Sequence, residues 1–224
     1  MKYISCLKVN KIIKRLILFG FCFISISLSP LTVRIFASDV NDLRSQFPGR
    51  RVGGGTRGEC SARYLAHIVN PDSIFSPGKS GLLAILQGPS TNPKDLITKF
   101  GIYNLNKDTE HISEIRLNHP KPSLFIIPSP KINSPISWSS SYDCQTIPTE
   151  DVGILNFIDD TSPPALSLLL NEPNDENLTL QNNIVKFSSS CSSTVKTDDV
   201  ITAFSLQNTI NKDDWPLTLD VKCY

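Results

Sequence analysis

The apolar residues of this chain come in short runs, and proline or glycine closes most of them. Gly81-Leu82-Leu83-Ala84-Ile85-Leu86 lies between Pro77-Gly78 and Gly88-Pro89. Ser123 to Ile127 sits between prolines, and Ala165 to Leu170 follows Pro163-Pro164. Runs of this length with such flanks suit buried strands better than helices. Proline fixes φ and lacks an N–H, so 16 prolines keep the chain from long regular elements. Further strands are expected at Tyr64 to Val69, Asp95 to Leu105, His111 to Leu117 and Ile136 to Tyr142, the last anchored by Trp138. Asn106 to Glu110 joins the second and third of these as a hairpin. Gly153 to Phe157 and Leu178 to Phe187 continue in the same style. Trp215-Pro216 turns the chain into Leu217, Leu219 and Val221, whose alternation predicts a last strand with all three side chains in the core. One helix is predicted, its start capped and charged by Thr197-Asp198-Asp199 and its end near Ile210. There is no βαβ alternation and no internal repeat. The pattern predicts a mainly β fold, an antiparallel sandwich or barrel-like single domain with one short C-terminal helix.

The ends of the chain differ in character. Residues 1–37 open with Lys2, Lys8, Lys11, Lys14 and Arg15 and no acid. An apolar run, Leu16 to about Leu28, follows, and then Phe36-Ala37-Ser38. A basic head, an apolar centre and a small residue at the cut make a signal peptide, with Ala37 the last residue before cleavage. The alternative is an uncleaved anchor, since Leu16 to Val33 just reaches spanning length, but Pro30 and Ser25, Ser27 and Ser29 dilute its far half. The leader holds six of the 22 basic residues and none of the 21 acids, so the rest carries 16 against 21, a net of −5. A domain of that charge lacks the basic footprint of a nucleic-acid binder. Residues 38–59 read as a flexible Gly/Arg-rich arm and 60–224 as a β-rich, disulfide-bonded domain. The reading places the protein in the periplasm or outside the cell, touching a membrane only through an uncleaved leader.

Removing the leader takes Cys6 and Cys22 with it and leaves Cys60, Cys144, Cys191 and Cys223. An even count in an exported chain argues for two disulfides. Four cysteines allow three pairings, between which the sequence does not choose. Cys60–Cys144 with Cys191–Cys223 is the expectation, because it staples each half separately. No CxxC pair occurs, which argues against a zinc site.

The stretch from Phe47 to Cys60, FPGRRVGGGTRGEC, is the most unusual in the chain. Glycine weakens helices and central strands, so a loop or an irregular edge is expected here. It is no phosphate loop: after Gly53 to Gly58, Glu59 and Cys60 stand where Lys and a hydroxyl are needed. Gly78-Lys79-Ser80 has the other half of that motif, but Pro77 breaks the wrapping loop. A softer possibility is an anion site, in which Gly-rich backbone N–H groups and the guanidinium groups of Arg50, Arg51 and Arg57 hold carboxylate or phosphate. Against it stands the ordinary fate of charge runs, which is to be solvated.

Catalytic constellations are hard to find. No GxSxG occurs, and His67, His111 and His119 are the only imidazoles. His67 lies in an apolar stretch and reads as a satisfied core residue. Asp159-Asp160, Asp198-Asp199 and Asp213-Asp214 read as turn and cap chemistry. No cofactor or metal motif is present. Asn177-Leu178-Thr179 is a formal glycosylation acceptor.

The signature PGRRVGGGTRGEC behind a signal peptide resembles exported cyanobacterial proteins of unknown function, which share a GRR-x-GGGTRG-x-C-like start and a β-rich domain. The likeness covers residues 47–60. It implies an envelope or extracellular place and carries no catalytic residue across. The resulting expectation is a non-catalytic envelope-associated binding or structural domain, its partner an anionic envelope component or another exported protein. Two alternatives stand beside it. One is a periplasmic hydrolase whose site is assembled from distant residues. The other is a secreted inhibitor or partner-binding module with the Pro-rich stretch 128–148 as its contact loop.

Overall fold

A computed structural model gives the structure of the chain and describes residues 47–53, 64–89, 95–103, 110–143, 164–172 and 175–224. The elements in chain order are β1 (Val52–Gly53), β2 (Leu65–His67), β3 (Ile74–Phe75), β4 (Leu82–Gln87), β5 (Leu96–Ile102), β6 (Glu110–Leu117), β7 (Ser123–Pro128), β8 (Ile136–Tyr142), β9 (Ala165–Leu169), α1 (Leu178–Ser188), β10 (Thr194–Lys196), α2 (Thr197–Ala203) and β11 (Thr218–Cys223). They form two sheets. The first has the order β1-β2-β4-β7-β11-β10, the second β3-β9-β8-β5-β6.

The two sheets face one another through side chains that alternate along each strand. His67 and its register partners Ile85 and Phe125 point from the first sheet toward the second. Thr98, Trp138, Ser140 and Ser167 meet them from the second. The opposite face of the first sheet, with Ala84, Leu86, Leu124, Leu219 and Val221, is also buried, and α1 packs against β4 and β11 there. That double cover is why β4 and β7 are apolar at consecutive positions rather than alternate ones. β8 has a single covered face. Ile136, Trp138, Ser140 and Tyr142 are buried, and Ser137, Ser139 and Ser141 lie half-buried on the other side. Trp138, Phe75, Phe100 and Phe125 are among the largest fully buried side chains, each worth roughly 2–3 kcal/mol of burial.

The mainly β expectation holds, and three details change. First, the sheets are mixed. β7 pairs with β11 and β3 with β9 in parallel, while the remaining neighbours are antiparallel. Parallel pairing needs a long crossover, and α1 and α2 lie on the one that returns the chain to β7. Second, two α-helices lie among the described residues, and α1 occupies the segment read as a strand. Leu180, Ile184 and Phe187 recur at helical spacing and face the core. Third, α2 is shorter than expected. Leu206 N–H donates to Ile201 C=O at 2.9 Å and Ser205 N–H to Thr202 C=O at 3.3 Å, with Ser205 left-handed at φ 52°. This pairing closes the helix in a Schellman motif. Its start is not capped by Thr197, whose hydroxyl donates to the Pro216 carbonyl; Asp198 and Asp199 in the first turn favour the helix dipole.

Leu217 also departs from the reading. It precedes β11 and is 89% exposed, whereas Leu219 and Val221 are buried as expected. Within the stretch 128–148, residues Ile136–Tyr142 form β8, a central strand, so it is not one long contact loop. Cys191 and Cys223 are bonded, one of the two expected pairs, and tie the end of α1 to the end of β11. Cys60, Cys144 and the run Gly153 to Phe157 lie outside the described residues.

Candidate functional site

Of the segment 38–59, residues 47–53 are described, and they make defined contacts. Phe47 packs edge-to-face on Tyr103 at 5.3 Å, beside Ile74, Leu168 and Leu170. Gly49 passes so close to Ser73 and Phe47 that a Cβ would clash, which makes glycine necessary there. Arg50 then exchanges both backbone hydrogen bonds with Leu166 of β9, at 2.9 and 2.7 Å. One residue later, the Arg51 carbonyl accepts from His67 N–H of β2 at 2.8 Å, and Val52–Gly53 continues as the edge strand β1. The segment therefore stitches the second sheet to the first.

Successive side chains on such an extended stretch point to opposite sides, and the two arginines have different fates. Arg50 is exposed. Arg51 is half-buried, its guanidinium donates to the Val69 carbonyl at 3.4 Å, and it acts electrostatically on the Tyr64 phenol. Burial pushes that phenol up to about 12, against the pull of Arg51. Arg51 thus serves the interior, and Arg50 faces water. Arg57 lies outside the described residues.

The histidines are not brought together. His67 is fully buried, stacked on Trp138 with ring centroids 3.6 Å apart. Its Nδ1 and Nε2 lie 2.8 Å from Ser167 Oγ and Ser140 Oγ. The direction of this chain follows from its far end. Thr98 Oγ1 accepts from the Trp138 indole N–H and from Ser140, and donates to the Ser139 carbonyl. Ser140, having spent its proton, accepts from His67 Nε2–H, and Nδ1 accepts from Ser167. Burial holds the ring well below the ordinary histidine range, so it is neutral. A serine touches this histidine on each side, yet substrate has no route to them: His67, Ser140 and Ser167 are each at most 1% exposed. The network is core architecture, as the apolar surroundings of His67 suggested.

His111 is exposed on β6. His119 meets Asp220, Nε2 to Oδ2 at 2.7 Å, both side chains mostly buried. No local pattern points to this pair, whose members lie 101 residues apart and meet because β11 runs parallel to β7. Ser123, opposite Asp220, donates its hydroxyl to the Lys121 carbonyl at 2.9 Å, so it is not poised as a nucleophile for His119. Asn177 of the formal acceptor is 2% exposed and accepts from the Asn70 amide at 2.7 Å, which withdraws it from modification in the folded chain.

A groove of ≈ 250 Å³ opens where Pro77, Gly78, Ser129, Lys131 and Asn171 meet. It is smaller than the ~300–1,000 Å³ of ordinary small-molecule sites. Among the described residues no three His, Cys, Asp or Glu side chains are placed to hold a metal, and no helix is long and apolar enough to cross a membrane.

The fold and these positions define a class: a mainly β domain of two mixed sheets flanked by helices, with a disulfide near its C-terminus. No protein-family model, curated protein or solved structure matches the chain.

Proposed function

We propose that the chain is an exported, non-catalytic domain that works in the cell envelope, holding an anionic component against Arg50 and Arg57. The observation that carries the reading is the seat of Arg50. Its backbone is locked by a pair of hydrogen bonds to β9, and its guanidinium stands in water directly ahead of the glycine-rich stretch. A charged fork on a fixed base loses less freedom on binding than one on a loose arm. The leader composition and the Cys191–Cys223 bond support an oxidising compartment. Arg51 is left out of the binding set because its guanidinium is spent on Val69 and Tyr64.

Retention of the purified protein on isolated envelope material tests the reading. Replacing Arg50 and Arg57 together by alanine should lower retention about tenfold, and raised salt should lower that of the unaltered protein. Equal retention by both proteins would overturn the proposal.

A further inference from the structure

The four sheet edges are not alike. β1 and β3 are two residues long and β10 is three, short enough to offer a partner strand little. β6 is eight residues long and lies at the edge of the second sheet. Its outward groups follow from its neighbours. Asp143 N–H donates to Asp95 C=O at 2.7 Å and Tyr103 N–H to Pro135 C=O at 2.9 Å, so the odd-numbered residues of β5 bond toward β8. The even ones, Leu96, Thr98 and Phe100, bond toward β6, where they face Leu117, Ile115 and Ser113. Glu114 and Arg116 therefore aim their backbone N–H and C=O groups outward, and no partner for them exists among the described residues.

We propose that β6 pairs with β6 of a second copy of this chain, antiparallel about a two-fold axis through Ile115, to make one continuous sheet across the dimer. Charge sets this register. An axis at Ile115 places Glu114 opposite the second copy's Arg116 and Arg116 opposite its Glu114. An axis at Glu114 or at Arg116 sets like charges directly opposite each other, which is unfavourable. A shift by one residue turns the inward groups out. The local charge is balanced: Lys99 and Arg116 are paired with Glu114 and Asp143, so the patch does not repel its own copy. Ile115, half-buried against the core at the sheet's rim, would meet its own equivalent on the axis and be covered. The β-bulge of the β5–β6 pair lies beyond Ser113, leaving 113–117 regular. This inference is independent of the arginine site.

Sedimentation of the full chain over a range of concentrations tests it. The unaltered protein should associate to a dimer. Glu114→Arg and Arg116→Glu should each raise the dissociation constant at least ~10-fold, and mixing the two variants should restore a heterodimer, because their charges then complement. Ile115→Cys should form a 115–115 disulfide on mild oxidation, since Cα atoms of such a close pair lie about 4.5 Å apart. A chain that stays monomeric at every concentration and forms no 115–115 link overturns the proposal. So does a dimer that survives both charge reversals, and so does a mixture that stays apart.

Discussion

Protonating His67 would place a positive charge between two serine hydroxyls and an indole face, with no acid among its described hydrogen-bond partners. The unfolded chain takes up that proton near pH 6.5, and the folded chain resists it to a lower pH. Between those values the unfolded state binds more protons, so stability falls as pH falls, by up to ~1.4 kcal/mol per unit from this group. His67→Phe keeps a flat ring against Trp138 and removes the titration. Denaturant unfolding at several pH values should show it about 2 kcal/mol less stable at neutral pH, because Ser167 loses its acceptor, and with a shallower decline below pH 6.5. A matching pH slope in both proteins would refute the assignment. The burial of His67 was legible from its apolar neighbours in the sequence. Its partners were not, since Ser140 and Ser167 come from strands 73 and 100 residues away. Nor did sequence distinguish Arg50 from Arg51, because which of two adjacent side chains faces water depends on the strand that pairs with them.

Among the elements, strands bounded by proline and glycine were read closely, and β8 matches its expected span. The failures have a common source in long-range packing. The α1 segment carries Ile184 and Phe187 at helical spacing, but its apolar residues are few enough to pass for a strand without knowledge of the sheet beneath. Strand direction is invisible to a two-residue period, so the parallel pairings of β11 and β3 could not be read from it. The Cys191–Cys223 link closes a loop of sequence separation 32 that carries β10, α2 and β11. Replacing both cysteines by serine should cost about 3–4 kcal/mol in denaturant unfolding, since the freed loop regains conformational entropy when unfolded. An unchanged midpoint would mean that packing of α2 and β11 alone restrains this region.

The whole molecule joins a sheet covered on both faces to a sheet with one partly open face, and the stretch 50–53 bridges them. That plan explains why no titratable cluster gathers in a cleft among the described residues. The inter-sheet space around His67 is filled by aromatic rings and a closed hydroxyl chain. The proposed role follows only if the chain leaves the cytoplasm. Peptide mapping by mass spectrometry, without reduction, on protein from the host's envelope and external fractions tests this most directly. A first residue near Ser38 with the Cys191–Cys223 peptides still joined is the predicted result. An intact leader with free thiols at Cys191 and Cys223, in protein from the cytoplasm, would contradict it.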